Sequence, residues 1–302
     1  MHPTRDDYLL LLLLGAVWGS SFLLIKLAVE TIPPITVAAA RIGIGALVLA
    51  LIVMVRGRPW PRGRREWLLL FVMGVIGNAI PFSLINWGET HIDSGLTAIL
   101  MSSVPLATIM LAPAFVRDEP VTPGKLLGVA LGMAGVAVLI GPGVLTGAHG
   151  ELLGEIAITC ATLCYAVNGL VARQLPQMPV EVIGAGCLLS ATLVALPLSL
   201  AADRPWQATP STLSLAALVL LGILNTAGGY LLLFRLVVRA GAGFASLNNF
   251  LVPLFGVMWG VMLLHERPSP RAFAGLVLIF GGLAAVRLWR GRRAAAGGRV
   301  ER

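Results

Sequence analysis

The chain has 302 residues, 57% of them hydrophobic and only 12% charged, with a mean hydropathy of +0.89. An ordinary soluble domain carries about 25% charged residues, so a water-soluble enzyme is excluded as the default. A disordered or fibrous chain is excluded too, because the 35 glycines follow no three-residue period. The net charge of +8 does not point to nucleic acid, since the basic residues cluster at 56–65 and 287–302, beside apolar stretches, as membrane flanks do.

A membrane-spanning helix needs about 20 mostly apolar residues. Ten such runs are predicted in chain order, at about 8–29, 35–55, 67–87, 94–116, 123–141, 152–173, 180–202, 212–234, 243–264 and 271–290. Each is continuously apolar, which predicts helices rather than the alternating strands of a barrel. The first run ends in Lys26 and Glu30 and has no small-residue cleavage site, so it reads as a retained helix and not a signal peptide. Cys160, Cys164 and Cys187 form no CxxC pair and read as small core residues.

With the N-terminus inside, 17 of the 22 Lys and Arg residues fall in cytoplasmic segments. Only Arg204, Arg267 and Arg271 fall outside, and only Lys26 and Arg41 lie within spans. The imbalance predicts a multi-pass membrane protein with both termini cytoplasmic.

The two halves match at an offset of 147–148 residues. Trp18 through Lys26 aligns with Tyr165 through Arg173, and Gly74, Asn78, Phe82 and Pro105 align with Gly222, Thr226, Tyr230 and Pro253. Glu119-Pro120 and Pro123 align with Glu266-Arg267 and Pro270, followed by Gly128 with Gly275 and Gly135 with Gly282. Five spans per half is an odd number, so the second half inserts upside down. The expected fold is therefore an all-α integral membrane protein of ten transmembrane helices in two inverted repeats, 8–141 and 152–290, with a basic cytoplasmic tail at 291–302. Inverted repeats are a recurrent plan of secondary transporters, with the binding site near the midplane.

Trp18-Gly19, Arg41 and the paired junctions Glu119-Pro120-Val121-Thr122-Pro123 and Glu266-Arg267-Pro268-Ser269-Pro270 resemble those of the drug/metabolite transporter superfamily, specifically its EamA-type members. The resemblance covers about 8–290. Within the superfamily the chain is most similar to bacterial exporters of aromatic and other neutral amino acids. That similarity implies export of a small metabolite by alternating access through a cavity between the repeats.

Polar groups at membrane depth must face a partner or a water-filled cavity. Trp18 and Ser21 share a helix face, as do their mates Tyr165 and Asn168; Asn78 and Phe82 share another, as do Thr226 and Tyr230. These eight residues are candidate substrate contacts, with interhelical packing as the alternative. Asn248 and Asn249 join them from the ninth span, where one of the two adjacent amides is expected to face inward. Arg41, whose mate is Leu188, could hold a substrate carboxylate in a bidentate grip or bridge helix carbonyls. Pro81, Pro105 and Pro253 are candidate hinges. Lys26 and Arg173 read as snorkelling cations, Glu119 and Glu266 as helix caps, and the pairs Gly15/Gly19, Gly128/Gly132 and Gly256/Gly260 as close-packing contacts.

All 14 acidic residues read as lying in loops or at helix ends. The lack of a deep carboxylate predicts facilitated or weakly coupled export. The absence of HExxH, of an intramembrane aspartate pair and of a serine–histidine set argues against a membrane enzyme, and nothing resembles a channel filter. No cofactor or metal is expected. The expected partners are a small-molecule substrate, an amino acid or similar metabolite, and membrane lipid, for a monomer that binds no nucleic acid.

Overall fold

The computed structural model describes residues 4–115, 122–140 and 149–297, and all regular structure among them is helical. Helix α1 (Arg5–Val29) starts at Thr4, whose backbone N–H and hydroxyl donate to Asp7 Oδ2 at 2.9 and 2.8 Å. The acid in the first turn also suits the helix dipole. Helix α2 (Pro34–Val55) opens on a proline, where the missing N–H would be unpaired anyway. Helix α3 (Arg64–Gly74) widens into a π-helical segment, Val75–Ala79, and continues as α4 (Ile80–Gly88). Pro81 cannot donate to the carbonyl behind it, so the ladder is already interrupted where it widens.

The next span is broken in two. Helices α5 (Ser94–Met101) and α6 (Val104–Phe115) are separated at Ser102–Ser103, just before Pro105. The Ser102 and Ser103 hydroxyls donate to the carbonyls of Ile99 and Leu100 at 2.6 and 2.7 Å, which satisfies backbone acceptors at the break. Then come α7 (Pro123–Ile140), α8 (His149–Ala172) and α9 (Val180–Ala202). Helix α10 (Thr212–Leu220) runs through a second π-helical segment, Leu221–Gly228, into α11 (Gly229–Ala245). That helix is interrupted at Gly241, whose φ of 84° few residues but glycine adopt. Helices α12 (Asn248–Leu263) and α13 (Pro270–Gly297) complete the chain, and Pro253 lies inside α12.

Among the described residues, seven helical stretches are long and apolar enough to cross a membrane: 5–29, 34–55, 64–88, 94–115, 150–172, 180–202 and 212–241. Three shorter apolar helices lie at Pro123–Leu139, Asn248–Leu263 and Pro270–Val286. Large apolar side chains such as Leu47, Leu193 and Val238 face outward on these helices, 71–74% exposed, as a lipid-facing surface requires.

Repeat mates meet across the middle of the bundle. Helix α2 packs along α9, its mate in the other half, and α7 packs along α13. A Cβ on Gly128 would lie 2.7 Å from the Gly282 carbonyl oxygen, and one on Gly135 would lie 2.9 Å from that of Gly275. The pairing runs in reverse order along the two helices, as a two-fold axis in the membrane plane dictates. The first helix of each half, meanwhile, leans on the other half: α1 packs on α12 and α10, and α8 on α4 and α6. Gly19 makes the α1 contact possible, since a Cβ there would lie 2.5 Å from Phe255 Cβ.

Candidate functional site: a cavity between the repeats

The interlocked halves enclose a cavity of about 510 Å³, within the range of small-molecule sites. Its wall includes Trp18, Ser21, Arg41, Asn78, Phe82, Tyr165, Asn168, Thr226, Tyr230, Asn248 and Asn249, all of the residues expected from the sequence to meet substrate. Pro253 also lines it; Pro81 and Pro105 do not. Pro81 sits in the first turn of α4 and Pro105 in that of α6, each beside an irregular stretch of helix.

The two π-helical segments carry much of the polar wall, one from each half. Asn78 lies in the first, and its Oδ1 accepts from the Tyr230 hydroxyl at 3.1 Å. Thr226 lies in the second, and its hydroxyl donates to the Leu221 carbonyl five residues back at 2.8 Å. Its neighbour Asn225 is a cavity residue that the repeat comparison missed, because the halves align on Asn78 and Thr226. The Asn225 amide nitrogen donates to the Val17 carbonyl and the Ser20 and Ser21 hydroxyls, and its backbone carbonyl accepts from Trp18 Nε1 at 3.1 Å. A second amide at membrane depth was the available signal. Gly229 leaves room for the Trp18 ring, and Gly77 for the Asn168 amide.

Among the described residues, Arg41 is the one charged side chain in the wall. Its Nε and Nη2 reach Thr226 Oγ1 at 3.4 Å, and its guanidinium carbon stands 4.1 Å over the Phe82 ring. Those hydrogen bonds are long, and a guanidinium has five N–H donors, so donor capacity remains. The Oδ1 atoms of three wall residues, Asn168, Asn225 and Asn248, are buried and accept no hydrogen bond from the described residues. Of the adjacent amides, Asn248 is buried and Asn249 exposed, though both border the cavity.

Three expectations need correction. Lys26 does not snorkel: its ammonium donates to the backbone carbonyls of Glu89 and Ile92, both at 2.8 Å. Those carbonyls end the α4 turn and need a donor that lipid cannot supply. Glu266 caps a helix, but not the one it precedes in sequence. Its carboxylate accepts from the Ser94 and Gly95 N–H groups at 2.8 and 2.9 Å, at the start of α5. Glu119 lies outside the described residues. Glu89 stands at a helix end, where an acid was expected, and is 0% exposed there. Cys160 is no core residue: it is exposed on α8, while Cys187 is buried.

This fold and cavity define a membrane transporter. The chain belongs to the EamA-like transporter family, which matches residues 7–141 and again 152–288. It is 31% identical over 258 residues to PagO of Salmonella typhimurium, covering 82% of each chain. It is 26% identical to a Streptantibioticus cattleyicolor protein named "Probable terminal-alkyne amino-acid exporter", over 96% of this chain and 97% of that one. The Escherichia coli inner membrane transporter YedA is 28% identical over 90% of this chain and 87% of its own. A solved crystal structure superposes with a TM-score of 0.64 at 20% identity, covering 96% of this chain and 99% of the other.

Proposed function

We propose that this transporter exports neutral amino acids, aromatic ones among them, from the cytoplasm by alternating access. In this reading ten spans form two inverted units, 8–141 and 152–290, followed by the cytoplasmic tail 291–302. Both termini are cytoplasmic, and a single chain carries one substrate at a time without cofactor or catalysis. The carrying observation is the charge pattern of the wall: one guanidinium with spare donors, and three amide oxygens without a partner. A zwitterion answers both, its carboxylate on Arg41 and its ammonium on the amide oxygens. The aromatic faces of Trp18, Tyr165, Phe82 and Tyr230 would take an apolar side chain. The amino-acid exporter among the relatives supports the same class.

Counterflow in proteoliposomes, with a panel of amino acids and lipophilic cations as competitors, tests this reading. Neutral and aromatic amino acids are expected to compete, and Arg41→Gln to weaken their competition more than that of the cations. Competition by the cations alone, or an Arg41→Gln effect equal for both classes, would refute it.

A further inference from the structure

The two faces of the bundle can be told apart by which helix ends they carry. The far face, opposite the N-terminus, holds the end of α1, the α4–α5 turn and the Glu266 connection. Glu89 lies in that turn, one residue beyond the third candidate span, and is 0% exposed. Neither of its carboxylate oxygens has a hydrogen-bond partner among the described residues.

Among the described residues no side chain bonds it. From α1, Lys26 gives two of its three N–H donors to the Glu89 and Ile92 backbone carbonyls. From α2, Arg41 reaches Thr226 and stands over Phe82. From the connection before α13, Glu266 accepts from Ser94 and Gly95. On α8, Glu151 and Glu155 interact with each other, and Glu151 also with Asp93. In the same turn, His91 bonds Thr90 and stacks on Trp87. An ionised carboxylate buried without a partner is far costlier than a neutral one, so such a group takes up a proton. Burial accordingly raises the Glu89 carboxyl well above the ordinary carboxylate range; Lys26 pulls against this, Glu266 adds to it, and Arg41 pulls against it.

We propose that Glu89 is a proton-binding site filled when the far face closes and emptied when it opens. Closed, as here, the carboxyl is neutral and Lys26 ties the α4–α5 turn to α1. On opening, water reaches the turn, the Lys26 contacts part, and Glu89 gives its proton to that water. Its carboxylate is then free to face the Lys26 ammonium, which keeps its own proton throughout. One proton is therefore taken up per closure. The sign follows from linkage: a carboxyl whose pKa is higher in the closed than in the open state stabilises closure below its open-state value. That stabilisation is lost as pH rises through the closed-state value.

Hydrogen–deuterium exchange of residues 89–95, on the full chain in lipid nanodiscs and corrected for intrinsic rates, reads closure without any cargo. Wild-type protection is expected to fall by up to about tenfold per pH unit across the titration. Glu89→Gln, neutral at every pH, is expected to stay protected and flat, and Asp93→Asn to titrate like wild type. An infrared carboxyl band present in wild type and absent in Glu89→Gln would match. Flat wild-type protection overturns the proposal, as does a Glu89→Gln protein that titrates like wild type. So does sodium at fixed pH reproducing the effect, which would give the site to a metal cation.

Discussion

The two faces of the bundle are tied by different chemistry. On the N-terminal side the ties are ion pairs with one foot in water: Arg239 Nε to Asp7 at 2.7 Å, and Arg56 Nη1 to Glu181 at 2.7 Å, with the arginines 38% and 54% exposed. On the far side the ties are half-buried and surround a fully buried acid. Lys26 bonds two carbonyls, Glu266 bonds two amides, and Glu89 has no partner among them. An exposed pair that breaks is re-solvated at once and contributes little. A buried charge that loses its partners must be hydrated or neutralised first. One face is thus latched by pairs whose arginines stay in water, and the other around a carboxyl that lies wholly out of it.

Removing the Lys26 ammonium should damage this arrangement most. Lys26→Met leaves two buried carbonyls unpaired and removes the bond between α1 and the α4–α5 turn. Hydrogen bonds to a charged group contribute about 1.5–3 kcal/mol each. A clear fall in detergent melting temperature is expected, with transport reduced by more than about tenfold. Lys26→Arg should recover part of both. Full stability in Lys26→Met would mean that the far face is held by packing alone.

How far the sequence foretold this difference depends on the residue. The cavity wall was legible because an aromatic or amide at membrane depth has few uses, and the offset between the halves brought Trp18 and Tyr165, or Asn78 and Thr226, into register. The helix-packing glycines were legible for the same reason, since Gly128 and Gly135 have mates that the fold places opposite them in reverse order. The far-face set was not. Lys26 and Glu89 stand 63 positions apart, and Glu266 caps a helix 172 residues earlier, contacts that no local pattern contains. Glu89 in particular looks like a loop acid by position, and only the packing around the α4–α5 turn buries it. The π-helical segments were invisible too, because they follow from Pro81 in one half and from the Thr226 hydroxyl bond in the other, not from a shared sequence signal. That is why Asn225 escaped notice.

The cavity between the two faces should respond to substitution without responding as a latch. Trp18→Ala and Tyr165→Ala are expected to lower counterflow by about tenfold, the scale of one lost aromatic contact, while leaving melting and far-face protection near wild type. Gly229→Ala sharpens the test, since its methyl would occupy the space of the Trp18 indole nitrogen and part it from the Asn225 carbonyl. It should reproduce the Trp18→Ala loss in transport although it removes no side chain. Unchanged counterflow in all three proteins would break the assignment of this wall to substrate.

The smallest effect is expected at the N-terminal side. Arg56→Gln removes a pair whose arginine is more than half exposed, at a point where α2 meets its mate α9. Water and salt already compete with Glu181 for that guanidinium. Counterflow should change by no more than about twofold, and raising the salt should bring the wild type toward the variant. Glu181 itself is mostly buried, 12% exposed at its side chain, so Glu181→Gln distinguishes the pair from the packing around it. If either substitution matched Lys26→Met in its cost, the contrast between the two latches would fail, and the two faces would have to be regarded as equivalent gates.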